Sequence, residues 1–472
     1  MVFSSIVFLV YFLPIFLLLY FIVDKKYKNV LLLIGSIIFY SWGAPKFIFV
    51  ILFTTFLDFH LVRWMDSMQK RNHQKILLAI SITINLGLLF YFKYCNFFIG
   101  NLNKGLHAAG IGEMPLLNVI MPIGISFYTF ETITYVVDVY RKVHKPLKKF
   151  WDYQLYIILF PKLIAGPIIR YHDLADQITE RPNKTDDKLY GFYRFVIGLA
   201  KKVIIANYLG EQAQHIFNWD YNNLDAVGAW MGALCYTFQI YFDFSGYSDM
   251  AIGLGRMLGF KFPENFHNPY TATSITDFWR RWHITLGNWM KNYLYIPLGG
   301  NRVKKPIFLY INLCIVFLIS GFWHGAMWSF IVWGAYHGIF LVLERIFLLK
   351  VYAKIGKIPS MLITFIIVVI GWTFFKIESV SLGLKYVKAM FSFKVTGMFQ
   401  WDHEFYFYFA IAILFSFFTT FKWGQKIQDD IFVKEYSNTK HLIATFTSII
   451  LMMVCMSFIA SSGFNPFIYF RF

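Results

Sequence analysis

Residues 306–344, PIFLYINLCIVFLISGFWHGAMWSFIVWGAYHGIFLVLE, decide the fold class of this protein. Between Pro306 and Leu343 the stretch contains no Asp, Glu, Lys or Arg, and its only imidazoles are those of His324 and His337. Such a run is longer than the roughly 20 apolar residues that cross about 30 Å of hydrocarbon as a helix. It predicts membrane-spanning helices, and it raises the question of what a histidine does inside them, where ionisable groups are costly.

The composition of the whole chain extends this prediction to a polytopic membrane protein. Of its 472 residues 58% are hydrophobic and only 15% are charged, whereas soluble domains carry about a quarter charged residues. We therefore predict an all-α integral membrane protein with about eleven to thirteen helices plus re-entrant segments. The apolar blocks lie at 2–23, 30–62, 76–98, 117–138, 153–169, 189–209, 226–242, 307–321, 326–348, 361–376, 405–421 and 442–460.

The net charge of +18 is concentrated at the ends of these blocks, in DKKYK (24–28), RKVHKPLKK (141–149) and RVKK (302–305). By the positive-inside rule these runs face the cytoplasm, where they attract anionic lipid head groups or an anionic cosubstrate. The distribution does not form a nucleic-acid-binding patch. The four cysteines are scattered without a CxxC spacing, so neither a zinc site nor a disulfide framework is predicted.

Two histidines are candidates for catalysis. A neutral imidazole can take a proton from a hydroxyl and return it, so His324 is a candidate general base, although buried histidines often serve packing alone. His283, in FWRRWHI, precedes it by 41 residues with Pro297 and Pro306 between, so the two side chains belong to different elements that can converge. On one uninterrupted helix His337 would lie nearly opposite His324, and we interpret it as structural. The histidine spacings do not predict a metal site.

Three further features are candidates for substrate contacts. The guanidinium groups of Arg280 and Arg281 can grip a phosphate, and anchoring at the membrane interface beside Trp279 and Trp282 explains them equally well. The chain ends in the aromatic sequence FIYFRF (467–472). The hydroxyl of Tyr469 there can accept an acyl group if a base lies near it, and aromatic anchoring is the alternative.

Five motifs follow one another along the chain. They are MPIGISFYTFETITYVVDVYRK (121–142), FPKLIAGPI (160–168), QIYFDFSGYSDMAIGLGRMLGF (239–260), SITDFWRRWHITLGNWMKNYLYIPLGGNR (274–302) and SGFWHGAMWSFIVWGAYHG (320–338). In this order they closely resemble the membrane-bound O-acyltransferase family, in its bacterial branch of alginate and peptidoglycan O-acetyltransferase membrane subunits. The resemblance covers nearly the whole chain, including MVFSSIVFLVYFLPIFLLLYF at its start and PFIYFRF at its end.

The resemblance implies one domain over residues 1–472, a ring of tilted helices around a tunnel. Peripheral spans are expected over 1–110, the catalytic core over 115–345, further spans over 360–461 and an aromatic tail over 464–472. His324 matches the family's catalytic histidine and His283 the second histidine of this branch, expected to orient His324 or to hydrogen-bond the thioester carbonyl. Tyr469 is the expected acyl relay. Residues expected to line the tunnel or bind the donor are Arg280, Arg281, Trp279, Trp282, Asn288, Trp323 and Asp243.

The resemblance also implies the reaction. Acetyl-coenzyme A is expected as the donor substrate, with no permanently bound cofactor, and an extracytoplasmic SGNH-hydrolase-like O-acetyltransferase as the partner. The protein would then sit in a bacterial cytoplasmic (inner) membrane, in contact with lipids, and support O-acetylation of an envelope polysaccharide or exopolysaccharide. Three alternatives stay open at this point: D-alanyl transfer to teichoic acid, acylation of a lysophospholipid if the tunnel opens sideways to lipid, and a transporter that relays protons through buried His and acidic residues.

Overall fold

The computed structural model describes residues 1–182 and 184–461. Within these ranges the chain forms α-helices joined by turns, short 3₁₀ segments and π-helical turns, and no β-strand occurs there. The prediction of an all-α protein is confirmed. The aromatic tail, including Tyr469, lies outside the described residues.

The chain divides into two compact units. The first comprises Met1–Lys188 and Leu254–Pro263, and the second comprises residues 189–253 and the described residues from Glu264 onward. The helices that begin in the first unit are α1 Leu13–Ile22, α2 Lys28–Gly43, α3 Phe47–Ser67, α4 Arg71–Leu89, α5 Cys95–Ala108, α6 Ile125–Tyr140, α7 Phe150–Ile158, α8 Phe160–Leu163, α9 Tyr171–Thr179 and α10 Thr185–Ala200.

The second unit contains the histidines of interest. Its helices are α11 Asn207–Phe217, α12 Ala226–Met257, α13 Ile275–Arg281, α14 Ile284–Trp289, α15 Pro306–His324, α16 Trp328–Leu343, α17 Leu349–Ile355, α18 Lys357–Lys376, α19 Val380–Met390, α20 His403–Phe417, α21 Lys422–Phe432 and α22 Asn438–Ser461. The π-helical turns of the chain are Val7–Phe12, Phe90–Tyr94, Lys201–Ala206, Met290–Tyr295 and Glu344–Leu348.

Six helical stretches of the described chain are long and apolar enough to cross a bilayer. They are Phe47–Ser67, Arg71–Ala108, Pro306–His324, Lys357–Lys376, His403–Thr420 and Asn438–Ser461, and Val7–Ile22 is a shorter apolar helix. Other predicted spans are built from shorter pieces. The block 30–62 is divided into α2 and α3 beside Pro45, and the block 117–138 becomes helical only from Ile125.

Gly124 and Glu131 of the 121–142 motif make close contacts within the first unit. Gly124, with φ +77°, precedes α6, and a Cβ there would lie 2.7 Å from the carbonyl oxygen of Leu163. Glu131 on α6 is buried and forms an ion pair with the buried ammonium group of Lys162. Acidic side chains from the 121–142 motif therefore face protein rather than lipid, as their cost at membrane depth predicts.

In the second unit α15 and α16 form a closely packed helical hairpin. A Cβ added to Gly321 would lie 2.3 Å from the carbonyl oxygen of Phe330, and one added to Gly334 would lie 2.3 Å from that of Phe317. Only glycine permits backbones to approach this closely, a common device between helices in membranes. The hairpin fixes the position of His324 at the end of α15.

Candidate active site

His324 is the last residue of α15 and is 5% exposed. Among the described residues, its imidazole packs against the rings of Trp323, Trp333 and Phe375, with centroid distances of 4.8 Å, 5.2 Å and 5.2 Å. The rings come from α15, α16 and α18. An imidazole enclosed in this way is shielded from bulk water and held in one orientation, which a general base requires.

Helix α15 ends at His324, and the chain turns immediately after it. Gly325 is in an extended conformation, with φ −169° and ψ 149°, and α16 begins at Trp328. A Cβ at Gly325 would lie 2.2 Å from the ring of Phe330. The glycine thus lets the loop pass close to that ring, and it leaves His324 at a helix end rather than inside a continuous helix.

His283 is also buried, at 2% exposed, and lies directly before α14. Its backbone is in the left-handed region, with φ 45° and ψ 52°, a conformation that costs a non-glycine residue about 1–3 kcal/mol and clusters at functional sites. The Nδ1 atom lies 3.1 Å from Oδ1 of Asn265. His283 is outside the candidate membrane spans, and burial lowers its pKa well below the ordinary value, so the imidazole is neutral.

Trp323 connects the two histidines. Its ring centroid lies 4.8 Å from that of His324 and 6.4 Å from that of His283, so the two imidazoles are no farther apart than the sum of these distances. The expected convergence of residues from separate elements therefore occurs within the second unit. Trp323, 4% exposed, forms the wall that both imidazoles share.

The prediction that His337 lies opposite His324 on one helix is wrong, because residues 324–337 do not form one helix. The break at 325–327 folds α16 back on α15, so that His337 contacts the same ring as His324. Its centroid lies 5.3 Å from Trp333 and 5.1 Å from Trp279. Both nitrogens of His337 are buried without a hydrogen-bond partner among the described residues. Its interpretation as a structural residue remains a prediction that rests on this packing alone.

The predicted tunnel residues occupy different environments. Trp279 packs on Trp333 at 5.5 Å, one ring away from His324, whereas Trp282 is buried against Trp372 at 4.9 Å. Arg280 and Asn288 are exposed. The structure thus brings Trp323 and Trp279 to the histidine cluster, and it places Trp282 in the aromatic core beside it.

Asp243 is buried in α12 and forms an ion pair with Lys202, with 2.9 Å between Nζ and Oδ1. Lys202 lies in the π-helical turn Lys201–Ala206. The ion pair with Lys202 explains why a carboxylate is buried at position 243. The sequence did not predict this pair. The expectation that Asp243 contacts the donor has no support from this geometry.

A polar cavity of about 810 Å³ lies in the second unit beside α13. Arg281 lines it together with His267, Lys357, Gln425, Gln428 and Asp429. The Nε atom of Arg281 lies 2.9 Å from Oδ1 of Asp277 one helical turn earlier. Of the two predicted phosphate-binding arginines, Arg281 therefore faces a cavity of ligand size and Arg280 does not line it.

Two residues that the sequence did not predict, Glu344 and Asn265, hold α13 and His283 in place. Glu344 accepts hydrogen bonds from the backbone amides of Ile275 and Thr276 and, at 2.6 Å, from the hydroxyl of Thr276. It thereby caps the first turn of α13, the helix of Trp279 and Arg281. Its position as the first acid after a charge-free run was the only signal in the sequence. Asn265, the partner of His283, lies in the loop after α12 and had no such signal.

Comparison with known proteins identifies the chain as a membrane acyltransferase. Residues 34–387 match the family model described as "MBOAT, membrane-bound O-acyltransferase family", and the chain belongs to that family.

Its relatives include a "Probable alginate O-acetylase AlgI" of Pseudomonas aeruginosa, 44% identical over 83% of this chain and 75% of the relative. A "Peptidoglycan O-acetyltransferase" of Helicobacter pylori is 37% identical over 83% of this chain and 80% of the relative. A "Teichoic acid D-alanyltransferase" of Streptococcus thermophilus is 28% identical over 51% of this chain and 60% of the relative. The resemblance drawn from the motifs is confirmed.

Proposed function

We propose that this acyltransferase takes acetyl groups from cytoplasmic acetyl-coenzyme A and passes them across the membrane for O-acetylation of an envelope polysaccharide or exopolysaccharide. The observation that carries the proposal is the enclosed pair of histidines, His283 and His324, which meet at Trp323. The relatives named for alginate and peptidoglycan acetylation cover more of the chain at higher identity than the D-alanyltransferase, and this favours acetyl over D-alanyl transfer. Membership of an acyltransferase family leaves the transporter alternative without support.

In the proposed reaction His324 acts as the general base. It takes the proton from an acceptor hydroxyl as the oxygen attacks the thioester carbonyl. The proton then passes to the departing thiolate of the coenzyme. The acceptor is Tyr469, or a serine of an extracytoplasmic SGNH-hydrolase-like partner. Tyr469 lies outside the described residues, so its role rests on the sequence alone.

We place the entry of the coenzyme at the cavity lined by Arg281. Arg281 and Lys357 line this cavity together with Asp429, and the segments next to it carry Lys422, Lys426 and Lys434. By the positive-inside rule such segments face the cytoplasm, and a guanidinium is suited to the phosphates of a nucleotide. We therefore propose that the protein lies in a bacterial cytoplasmic membrane, with its donor site on the cytoplasmic side.

The donor and the acceptor are tested in one assay on the purified protein in nanodiscs. Acetyl-coenzyme A labelled in the acetyl group is supplied to wild type and to Tyr469→Phe, and the C-terminal peptide is analysed by mass spectrometry. The proposal expects coenzyme release by wild type, and a labelled acetyl group on Tyr469 that Tyr469→Phe lacks. Turnover without that mark would remove the relay and leave the partner's serine as acceptor. Turnover of a D-alanyl carrier-protein thioester but not of acetyl-coenzyme A would overturn the proposed donor.

A further inference from the structure

We propose that Asn265 is a positioning residue that holds His283 with its proton on Nδ1, so that Nε2 meets the substrate as a hydrogen-bond acceptor. The assignment of the tautomer does not depend on the function proposed above. The role of Nε2 toward a substrate rests on that proposed function. Of the two roles that the resemblance gives His283, this arrangement excludes a hydrogen bond donated to the thioester carbonyl.

The contacts of the Asn265 side-chain amide fix its orientation. Its Oδ1 atom lies 3.3 Å from the backbone nitrogen of Thr285 and 2.8 Å from the Thr285 hydroxyl. A backbone N–H only donates, so the amide atom that faces it must be the carbonyl oxygen. The Nδ2 atom lies 3.0 Å from the hydroxyl of Ser248, which accepts readily. The reverse orientation would set two N–H donors against each other in a buried site.

The orientation of the Asn265 amide fixes the tautomer of His283. The same Oδ1 atom lies 3.1 Å from Nδ1 of His283, and a carbonyl oxygen only accepts. Nδ1 must therefore donate and carry the proton. Because the buried imidazole is neutral, its other nitrogen has none. The tautomer of His283 is thus set by a chain of contacts that begins at the backbone N–H of Thr285.

The second ring nitrogen of His283, Nε2, carries no proton in this tautomer. Nε2 of His283 is buried and has no hydrogen-bond partner within the described part of the chain. The rings around this imidazole belong to Phe244, at 4.7 Å, and Trp323, at 6.4 Å. A buried acceptor without a partner is costly, and His283 also retains a left-handed backbone conformation. Both costs are explained if a substrate group completes the site.

The group that Nε2 accepts from must carry an N–H or O–H. Two sources offer one: an amide N–H of the donor's pantetheine arm, and the hydroxyl of the acetyl acceptor. These sources predict different kinetics for His283→Gln. If the partner is the donor's amide, the KM for acetyl-coenzyme A rises. If the partner is the acceptor hydroxyl, kcat falls while that KM stays unchanged.

The tautomer is read directly by ¹⁵N magic-angle-spinning NMR of the full-length protein labelled at histidine, with His283→Gln to identify the His283 signals. We expect a protonated Nδ1 and an unprotonated Nε2 in wild type. Asn265→Asp keeps the accepting oxygen and should keep this pattern. Asn265→Leu removes the oxygen and should give a mixture of tautomers with turnover reduced about tenfold or more.

Asn312→Leu is the matched control. Asn312 is a buried asparagine whose Nδ2 lies 3.2 Å from the carbonyl oxygen of Leu298, so its loss also removes a buried hydrogen bond but leaves the His283 signals unchanged. An unprotonated Nδ1 in wild type would overturn the proposal, as would an Asn265→Leu variant with the wild-type tautomer. Because the NMR measurement needs no turnover, a protein that fails to use acetyl-coenzyme A while showing the expected tautomer would count against the proposed function alone.

Discussion

Replacement of Gly334 by alanine tests the packing of the hairpin that carries His324. A Cβ at Gly334 would lie 2.3 Å from the carbonyl oxygen of Phe317 and 3.3 Å from the Cα of Gly321. Both atoms belong to the backbone of α15, so neither can move aside as a side chain would. The two helices must separate or rotate to accommodate the methyl group.

Gly338→Ala is the matched control, because Gly338 lies one helical turn farther along α16 and the chemical change is the same. Its Cβ would have its nearest neighbour at 3.5 Å, the Cβ of Phe317, which is ordinary contact. A helix interior gains up to about 1 kcal/mol from glycine to alanine, whereas overpacking costs about 1–3 kcal/mol. Gly334→Ala should therefore be destabilised by about 1–2 kcal/mol, and Gly338→Ala should be unchanged or slightly stabilised.

The assay is thermal unfolding of the purified variants in one detergent, followed by tryptophan fluorescence, together with acetyl-transfer turnover. Gly334→Ala should unfold at a lower temperature and lose turnover, because a displaced α15 shifts His324 relative to Trp333 on α16 and Phe375 on α18. If Gly334→Ala proved as stable and as active as Gly338→Ala, the close approach of α15 and α16 would be refuted.

Two further predictions concern other elements. Glu344→Ala should lower the free energy of unfolding by about 0.5–2 kcal/mol, because the first amides of α13 lose their acceptor. Glu344→Gln, which keeps one acceptor oxygen, should lose less in the same thermal assay, and equal losses in the two variants would contradict the cap. The hydrogen bond to Asp138, with 2.7 Å between His172 Nδ1 and Asp138 Oδ2, raises the pKa of His172. The stabilisation from this pair should be complete below pH about 6.5 and decline as the pH rises through the raised value. His172→Gln should show no such decline between pH 6 and 8, and an unchanged pH dependence in that variant would exclude His172 as its origin.

Much of the fold follows from the distribution of apolar and charged residues. The charge-free run 306–343 predicts helices at membrane depth, and the structure forms α15 and α16 there. The exact break was harder to predict, because one glycine in an apolar run is compatible with a continuous helix. The ring of Phe330 lies 2.2 Å from where a Cβ of Gly325 would stand, a closeness that arises only once the chain has turned back into α16.

The site was predictable as far as it depended on rare residue types. A histidine in an apolar run is conspicuous, and so is an arginine pair beside tryptophans. Asn265 carries no charge and stands in an ordinary loop, so only its contacts show that it holds His283. The sequence did not reveal that Asp243 forms an ion pair, and Asp243 was therefore predicted to contact a ligand. Its partner, Lys202, is 41 residues away in sequence and reaches Asp243 from a π-helical turn.

The most direct test of the central claim is labelled acetyl transfer by His324→Gln compared with His337→Gln. Both imidazoles are buried and pack on the ring of Trp333, at 5.2 Å and 5.3 Å, so the two variants disturb similar surroundings. Size-exclusion profiles and unfolding temperatures establish that both proteins remain folded. We expect His324→Gln to lose acetyl transfer from acetyl-coenzyme A and His337→Gln to retain it. Wild-type turnover by a folded His324→Gln variant would contradict the assignment of His324 as the general base.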